Sequence, residues 1–477
     1  MITSAALDGE LTKLQASRRR AAVQAEHKRR TSLDADRSAG YAMNDVVPTR
    51  SLRTQRNLWN RSYVQAIGDD SARMGVFGIE RGGGRMAALR VAIIGAGIGG
   101  LTTAIALRDR GIDATVYDQA KELKGLGAGV SIAPNGSLVL CRLGLSDRVS
   151  AIAGHISNFT FRTWQSEPVG DPAQPAVPGD PARTWTLHRG EFQKVLREAL
   201  SADTIRLDRR CVGAVETDFG VTVNFSDGSA LEADLVVGAD GIHSRMQSVV
   251  GHPAVPISEG IMAYRSLIPA DRLDGIADMQ TQYGWFGPGQ SFVAYPVSAG
   301  THLNIVAFVP TDLDVLESWN APGEVSDLVD LYRGWDPLLL NIICAAEHTF
   351  RWGIYDREPL TSWSTDRITL LGDAAHAVVP HLGQGANQAI EDAITLAVLL
   401  EDARAQDIPQ RLKIYESLRI DRTRTVRHQA RRAGVLYRTP DLNARELARR
   451  LTEIYASIEV DTYDAEQIAQ DALAAHG

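Results

Sequence analysis

The run "VAIIGAGIGGLTTAIAL", from Val91 to Leu107, limits most strongly what this chain can fold into. Its 17 residues carry no charge and are flanked by Arg90 and Arg108, so a membrane-spanning helix has to be considered. The run is at the lower limit of length for such a helix, and it has four glycines within six positions. Glycine weakens a helix and favours a turn. The pattern therefore predicts a strand, a glycine turn and a helix, with no membrane span.

The glycines of this run have the spacing G-x-G-x-x-G, formed by Gly95, Gly97 and Gly100. Gly95 permits a tight turn, Gly97 lets a pyrophosphate approach the backbone, and Gly100 lets the helix pack close to the strand. A second apolar stretch ends at Asp118, whose carboxylate can accept hydrogen bonds from a ribose. Strand, turn, helix, strand and acid together predict a dinucleotide site, with FAD and NAD both left open.

The composition bears on which kinds of molecule this chain can bind. The chain has 477 residues and a net charge of −8, and this balance does not favour binding to nucleic acid. Three cysteines lie far apart, none at metal-ligand spacing, so we expect neither a metal site nor a disulfide framework. This cysteine usage fits a reducing, cytoplasmic location. The oligomeric state is left open, with a homodimer as one option.

The first 85 residues differ from the rest. They contain 15 Lys and Arg against nine Asp and Glu, and they show no sustained hydrophobic period. No apolar signal segment opens the chain, and the nine acidic residues argue against a mitochondrial presequence. We expect residues 1–85 to be a disordered or mis-annotated N-terminal extension, with a basic interaction arm as the alternative.

The remaining chain predicts an α/β fold, with a Rossmann-like nucleotide-binding domain, an interleaved antiparallel-sheet substrate domain and C-terminal helices. Residues 257–310 alternate apolar and polar side chains between glycine and proline breaks, which is typical of antiparallel strands. The chain then returns to the nucleotide-binding domain, so a pocket can form where the two parts meet. The expected boundaries are 86–256 for the nucleotide-binding domain with a proline-rich loop at 165–183, 257–350 for the sheet domain, 351–400 for the return and 401–477 for the helices.

Finer predictions concern single elements. The pattern predicts a helix capped by Asn135 or Ser137, and a hairpin turned at Asp227-Gly228. It also predicts helical structure over residues 322–348. From Leu370 onward, a short apolar strand ends in an acid, and a proline loop and a Gly-Gln-Gly turn lead into another helix.

Three ordered stretches, "GAGIGGLTTAIAL", "DLVVGADGIHS" and "RITLLGDAAHAVVPHLGQGANQAIEDA", resemble the motifs of the class A, single-component FAD-dependent aromatic hydroxylases. The resemblance is greatest to the salicylate-hydroxylase-like branch and covers about residues 88–430. It implies that the dinucleotide is FAD. The FAD-binding residues that it implies are Gly95, Gly97, Ile98, Gly100, Asp118, Gln119, Ser131, Arg189, Cys211, Asp240, Gly241, Asp373, Gly383, Gln384, Gly385, Ala386 and Asn387.

The resemblance also implies what Arg189 and the residues of the third stretch do. It implies that Asp373 hydrogen-bonds the ribityl chain of FAD and that Arg189 lies near the flavin and the pyrophosphate. The loop from Gly383 to Asn387 is expected beside the isoalloxazine ring. A helix that starts near Ala386 would point its positive end at the flavin N1–C2=O group, which becomes negative when the flavin is reduced.

The resemblance also implies the reaction. NADH or NADPH reduces FAD, the reduced flavin binds O₂ as a C4a-hydroperoxide, and a small hydroxylated aromatic or heteroaromatic acid is hydroxylated. One alternative is a flavoenzyme of the same fold that acts on a quinolone, a urate-like purine or an olefin. Another is a flavin reductase that does not use oxygen. A non-catalytic flavin-binding protein is disfavoured, because it would not need Asp373 and the glycine loop.

The residues that act on the substrate are harder to predict. Some relatives have a histidine where this chain has Ile261, and others a glutamine where it has Pro380, so their substrates do not transfer directly. We expect His381, beside the flavin loop, to take part in proton transfer. Pro380 and Tyr264 are further catalytic candidates. The candidate substrate contacts are Tyr283, Trp285, Tyr295 and Arg265.

Overall fold

The computed structural model describes residues 89–123, 128–170, 184–251, 253–311, 321–440 and 442–476. The predictions for residues 1–85, and for most of the proline-rich loop at 165–183, lie outside these ranges. In the part of the chain that is described, each helix is too short or too polar to span a bilayer.

Five short parallel strands form the sheet of the nucleotide-binding part. They are β1 (Val91–Ile94), β2 (Ala114–Tyr117), β6 (Ile205–Arg206), β10 (Leu235–Gly238) and β17 (Ile368–Leu370), in the order β17-β10-β1-β2-β6. β1 and β10 are buried along their whole length, as expected for parallel strands covered on both faces. β17 joins this sheet only after the antiparallel sheet is complete, which confirms the predicted α/β fold with its interleaved sheet.

Helices cover the parallel sheet. α1 (Ile98–Asp109) follows β1, and α9 (Gly385–Leu400) packs against α1. From Asn387 onward every residue of α9 is buried, so this helix forms part of the core on all its sides. Further helices of the described chain are α2 (Pro134–Arg142), α3 (Ser146–Ser150), α4 (Arg189–Glu198), α5 (Gln247–Val250), α6 (Val325–Leu331), α7 (Pro337–Cys344), α8 (Asp373–His376), α10 (Ile408–Tyr437), α11 (Ala444–Ser457) and α12 (Ala465–His476).

The described chain also contains two small antiparallel sheets. β3 (Gly129–Ile132) pairs with β5 (Trp185–His188). The second small sheet consists of β7 (Cys211–Thr217), β8 (Gly220–Phe225) and β9 (Ala230–Ala233). Gly228, in the turn between β8 and β9, has a φ of +83°, and the predicted hairpin is confirmed.

A seven-stranded sheet forms the second layer. Its strands are β4 (Asn158–Thr163), β11 (Pro256–Pro269), β12 (Thr281–Gly287), β13 (Gln290–Val297), β14 (His302–Pro310), β15 (Ala321–Gly323) and β16 (Thr349–Arg357). Their order is β15-β16-β11-β14-β13-β12-β4, and neighbours are antiparallel except for β12 and β4. The antiparallel sheet predicted over residues 257–310 is thereby confirmed.

Successive side chains of this sheet point to opposite faces. On β11, Ala263 packs in a cluster with residues of α10 and α11, whereas Tyr264 packs in a cluster with residues of α6 and α7. On β12, Phe286 belongs to the same cluster as Ala263, and Trp285 to the same cluster as Tyr264. We call the first of these the cavity face and the second the helix face.

The predicted cap of α2 is wrong. The helix begins after Ala133, and neither Asn135 nor Ser137 caps it. The amide of Asn135 instead donates to Oε1 of Gln384 at 3.0 Å and to Oε1 of Glu391 at 2.5 Å. Asn135 is buried under α9. Its amide nitrogen donates to that helix and to the residue before it, whereas its Oδ1, the atom that would cap a helix, accepts no hydrogen bond from a described residue.

The helical prediction for residues 322–348 is only partly right. The segment contains the end of strand β15 and two short helices, α6 and α7, in place of one continuous helix. Gly334 has a φ of +86°, and Pro337 begins α7 with Asp336 as its N-cap. A left-handed glycine and a proline each interrupt a helix.

Candidate active site

Two of the motif glycines occupy positions that no larger side chain could fill. A Cβ atom on Gly95, whose φ is +115°, would lie 2.2 Å from the carbonyl oxygen of Ala239. One on Gly100 would lie 2.0 Å from the carbonyl oxygen of Gly95. Gly97 differs, because no described residue other than its own chain neighbours has an atom within 4 Å of its Cβ position. Gly97 keeps space open at the N-terminus of α1, where unpaired N–H groups can bind a pyrophosphate.

Asp118 holds this glycine turn in place. Its Oδ2 accepts a hydrogen bond from the backbone nitrogen of Ala96 at 2.7 Å, and its Oδ1 accepts one from Ala120 at 2.8 Å. Gln193 of α4 donates to the carbonyl oxygen of Ala96 at 2.7 Å. The contact between Asp118 and a ribose stays a prediction, and the structure adds a second role, since the same carboxylate positions the turn.

Asp373 follows β17 through Gly372, which has a φ of +63°. The backbone nitrogen of Gly372 donates to Oδ2 of Asp392 at 2.9 Å. Asp373 is exposed to a cavity, yet the protein around it raises the pKa of its carboxyl group by desolvation, against the charges of His376 and Arg189. Its oxygens are available to accept hydrogen bonds from a ligand in that cavity.

A buried charge network supports the Gly372 turn from behind. Asp392 accepts hydrogen bonds from His376 Nε2 and Arg419 Nε, each at 2.6 Å. Glu391 accepts from Arg419 Nη1 at 2.6 Å and from Arg422 Nη2 at 3.1 Å. Burial by itself raises the pKa of Asp392, but His376 and Arg419 together lower that pKa to about 2. The network therefore joins α8, α9 and α10 beneath the turn that presents Asp373.

Asn387 holds the glycine loop from beneath. Its Oδ1 accepts from the backbone nitrogen of Ala133 at 2.9 Å. Its Nδ2 donates to the carbonyl oxygens of Ser131 at 3.1 Å and Gly383 at 2.9 Å. Because its side chain is fully buried, Asn387 connects the loop to β3 and does not reach the cavity.

One cavity of about 390 Å³ joins these turns to the cavity face of the seven-stranded sheet. This cavity is lined by many of the residues that the sequence analysis selected: Gly97, Ile98, Ser131, Arg189, Gly241, Arg265, Tyr295, Asp373, Pro380, His381, Gly383, Gln384, Gly385 and Ala386. The motifs near residues 95 and 373 and the antiparallel sheet therefore meet at a single site.

Other predicted cofactor residues do not line this cavity: Gly95, Gly100, Asp118, Gln119, Cys211, Asp240 and Asn387. Cys211 is buried, and its Sγ lies 3.9 Å from Sδ of Met246, so it packs in the core. Asp240 accepts from Ser244 Oγ and from the backbone nitrogen of Arg245, each at 2.6 Å. This residue stabilises the turn after β10.

Tyr264, Tyr283 and Trp285 lie on the helix face, away from the cavity, contrary to their selection as catalytic and substrate residues. Trp285 is fully buried, and its Nε1 donates to Oδ2 of Asp336 at 3.0 Å. Tyr283 stacks on Trp285 with 5.6 Å between ring centroids. The two rings share one side of β12, and the period of two in a strand places the cavity on the other side.

The cavity wall also contains residues that the sequence analysis did not select: Phe161, Phe286, Ser291, Val293, Val306, Phe308 and Tyr437. The alternation along β13 groups Ser291 and Val293 with Tyr295, and this signal was available in the sequence. It does not say which face of the strand meets the cofactor. Tyr437, at the end of α10, stacks on Phe286 with 4.7 Å between centroids, and no sequence signal brings these two together.

Polar groups interrupt this apolar wall. Arg265 lies 3.9 Å from the ring centroid of Trp352, and its pKa, lowered by burial to about 10, keeps it charged at neutral pH. Burial raises the pKa of Tyr295 to about 12, so its phenol stays neutral. Burial, followed by the charge of Arg438, lowers the pKa of His381 to about 3. The imidazole is therefore neutral at physiological pH.

These residues fit FAD. The open space at Gly97 and the N-terminus of α1 suit its pyrophosphate. Asp373, exposed to the cavity, suits the ribityl hydroxyls. α9 begins at Gly385 on the cavity wall, and its positive end suits a ring that gains negative charge on reduction.

The family of FAD binding domains matches residues 88–430. The chain belongs to the class A FAD-dependent aromatic hydroxylases. This hydroxylase is a monooxygenase, and its cofactor is FAD.

Two of its relatives are named for small aromatic acids. It is 37% identical over 359 residues to 3-amino-4-hydroxybenzoate 2-monooxygenase PtmB3 of Streptomyces platensis, with 74% of this chain and 89% of the relative covered. It is 32% identical over 345 residues to 6-hydroxynicotinate 3-monooxygenase of Bordetella bronchiseptica, with 71% and 89% covered. Among solved structures, a salicylate hydroxylase substrate complex matches with a TM-score of 0.70 at 28% identity, covering 81% of this chain and 98% of that one.

Proposed function

We propose that this hydroxylase adds oxygen to the ring of a small aromatic or heteroaromatic acid that already bears a hydroxyl group, with O₂ and NADH or NADPH as cosubstrates. The observation that carries the substrate class is Arg265. It is a charged side chain on the cavity wall, and no acid among the described residues forms an ion pair with it. Its Nε is buried and has no hydrogen-bond partner there. Such a guanidinium binds a carboxylate through paired hydrogen bonds.

The rest of the wall suits an aromatic ring. Trp352 stacks on Arg265 and limits how its guanidinium can turn. Phe286, Val306 and Phe308 offer apolar surface on the cavity face, which excludes water from around the substrate. Bound FAD supplies the activation of oxygen. The protein's own part is to hold the acid by its carboxylate and to keep the ring in one orientation.

The names of the relatives support the same class. 3-Amino-4-hydroxybenzoate and 6-hydroxynicotinate each combine a six-membered ring, a carboxylate and a hydroxyl group. The Arg265 guanidinium suits the carboxylate, and the apolar wall suits the ring.

The test compares Arg265→Met with Arg265→Lys in purified, FAD-loaded enzyme. Oxidation of NADH and NADPH, O₂ uptake and product mass are measured with 3-amino-4-hydroxybenzoate, 6-hydroxynicotinate and salicylate, and with the carboxamide of each. We expect one acid to accelerate oxidation and to gain one oxygen atom. Arg265→Met should raise its KM about 10- to 100-fold, since a hydrogen bond to a charged group contributes about 1.5–3 kcal/mol.

The carboxamide supplies the control. Its KM should change little in Arg265→Met, and Arg265→Lys should keep part of the preference for the acid. An equal loss for acid and amide would contradict the role of Arg265. If no acid in the panel accelerates NAD(P)H oxidation, the proposed substrate class is wrong.

A urate-like purine is the second candidate substrate. The chain is 32% identical over 354 residues to an FAD-dependent urate hydroxylase of Klebsiella pneumoniae, and a urate anion could also pair with Arg265. Urate, a quinolone and an olefin therefore belong in the same assay. A reductase would oxidise NAD(P)H without consuming O₂.

We also propose that the enzyme is cytoplasmic, because NAD(P)H is supplied there. Size-exclusion chromatography would test whether it forms a homodimer.

A further inference from the structure

Arg438 and His381 form a contact that fixes where the imidazole carries its proton. Nη1 of Arg438 lies 3.3 Å from Nε2 of His381. A guanidinium can only donate hydrogen bonds, so Nε2 must be the acceptor. A neutral imidazole carries a single N–H, and in this arrangement the proton is on Nδ1.

That Nδ1–H group has no partner of its own. Nδ1 of His381 is buried and makes no hydrogen bond within the described part of the chain, and the residue is 8% exposed. His381 lines the cavity. A buried donor without a partner is costly, which points to a ligand that accepts a hydrogen bond at this place.

A second unsatisfied group lies on the same wall. Ser291 is 1% exposed, and its Oγ makes no hydrogen bond to a described residue. Ser291 pairs across β13 and β14 with Phe308, whose ring centroid is 4.9 Å from that of His381. Two buried polar groups without partners thus flank one aromatic side chain of the cavity.

We propose that Arg438 is a positioning residue that holds His381 in its Nδ1–H form, and that this N–H and the Ser291 hydroxyl bind the ring oxygen of the substrate as a phenolate. The inference rests on the proposed function, because it assigns the part of the site that receives the substrate hydroxyl. It also changes the role predicted for His381, from proton transfer to hydrogen-bond donation.

The charges around His381 favour this role. Burial and Arg438 keep the imidazole neutral, and a group with so low a pKa is a poor base at pH 7. Arg438 comes from the end of α10, and Glu259 of β11 is the acid that acts on its charge. Tyr437 is a further titratable side chain beside His381, with 6.3 Å between the centroids of its ring and the imidazole. A donor and a nearby cation both favour an ionised phenol over a neutral one.

Ultraviolet absorption of a bound phenol provides the first test. 3-Amino-4-hydroxybenzoate is titrated with pH in the FAD-loaded enzyme, and the phenolate band gives the pKa of its bound hydroxyl. We expect this pKa to be at least one unit below that of the free ligand in the unmodified enzyme. Arg438→Met should remove most of the shift, and Arg438→Lys, which can still donate, should retain it.

3-Aminobenzoate, which lacks the hydroxyl, is the matched control ligand. Its affinity should be the same in the unmodified enzyme and in Arg438→Met, whereas that of the phenol should fall about tenfold. A full phenol shift in Arg438→Met would overturn the inference. Equal weakening of both ligands would also overturn it, since it would mean that Arg438 has only a general structural role.

Nitrogen-15 NMR of the FAD-loaded enzyme tests the tautomer without any turnover. The His381 signals are assigned by their loss in His381→Asn. We expect a protonated Nδ1 and an unprotonated Nε2 from pH 5 to 9. A proton on Nε2, or a titration near pH 6.5, would refute the inference even if an aromatic acid is hydroxylated. Failure of every acid to bind, with the Nδ1–H form observed, would instead refute the proposed substrate class.

Two substitutions of His381 test which of its two ring nitrogens donates the hydrogen bond. The amide nitrogen of Asn can take the place of Nδ1, and that of Gln can take the place of Nε2. His381→Asn should therefore keep more of the phenol shift than His381→Gln. The reverse order would contradict donation from Nδ1.

Discussion

Gly434 and His381 are in direct contact. A Cβ atom on Gly434 would lie 2.3 Å from Cδ2 of His381 and 2.6 Å from its Nε2. Gly434 is an interior residue of α10, where glycine costs about 1 kcal/mol relative to alanine. The absent side chain lets the helix backbone approach the imidazole, so the position of α10 determines where His381 lies in the cavity wall.

Gly434→Ala is expected to displace His381. Overpacking of this kind costs about 1–3 kcal/mol, which outweighs or offsets the gain of about 1 kcal/mol in helix propensity. The KM for the aromatic substrate should rise and the Tm should not increase, while FAD content stays normal. Val435→Ala, at a neighbouring position that is 65% exposed, is the control for a change in the same helix. An unchanged KM with a higher Tm would show that His381 tolerates the added methyl group.

Gly97→Ala is expected to weaken FAD binding without harming the fold. Apart from its chain neighbours, no described residue has an atom within 4 Å of the Cβ position, so the added methyl group is expected to meet what binds in the cavity. Overpacking against the pyrophosphate at about 1–3 kcal/mol would weaken FAD binding about 5- to 150-fold. Fluorescence titration of the apoprotein with FAD measures this directly. Gly213→Ala, also free of neighbours within 4 Å and outside the cavity, should bind FAD normally, and equal affinity in the two variants would refute the prediction.

Asp392→Asn is expected to destabilise the protein by about 3–5 kcal/mol at pH 7, because it leaves buried charges without their partner. The folded-state pKa of Asp392 is about 2, below the value of about 3.9 for an unfolded chain. Its contribution is therefore complete above about pH 5 and is lost as the pH falls toward 2. The difference between variant and unmodified protein, measured by urea unfolding, should shrink as the pH is lowered below 4.

Asp330→Asn is the matched control for that experiment. Asp330 pairs with Arg333 at the surface, where it is 66% exposed, and such pairs contribute about 0–1 kcal/mol. A similar loss in both variants, or a difference for Asp392→Asn that does not depend on pH, would contradict the role assigned to the buried network.

Trp285→Phe and Phe286→Leu should affect different properties, although the residues are adjacent: the first stability, the second KM. Trp285→Phe removes the hydrogen bond to Asp336 and should lower stability by about 1–3 kcal/mol with KM unchanged. Phe286→Leu removes the stacking with Tyr437 on the cavity wall and should raise KM or release more H₂O₂ per NAD(P)H. Steady-state kinetics with a peroxide assay, together with thermal unfolding, measures both. A raised KM in Trp285→Phe would return that residue to the substrate site.

The sequence by itself was sufficient for the nucleotide-binding part. The glycine spacing from Gly95 to Gly100 and the acid at residue 118 are local features, because a turn, a helix start and a strand end each depend on a few consecutive residues. The same holds for the strand and turn that lead to Asp373. For this reason the α/β fold could be predicted from the residues, and the family resemblance supplied most of the proposed cofactor residues that line the cavity.

The substrate side of the cavity was decided only by tertiary structure. Alternation along β12 shows that Tyr283 and Trp285 share a face, but the choice between the two faces depends on which helices pack there. The helix face is covered by α6 and α7, and this buries both rings away from the site. Phe286, Tyr437, Gly434 and Arg438 meet His381 or its neighbours only because α10 crosses the open face of the sheet. Contacts between segments so far apart in the chain depend on the packing of whole elements, which local residue patterns do not encode.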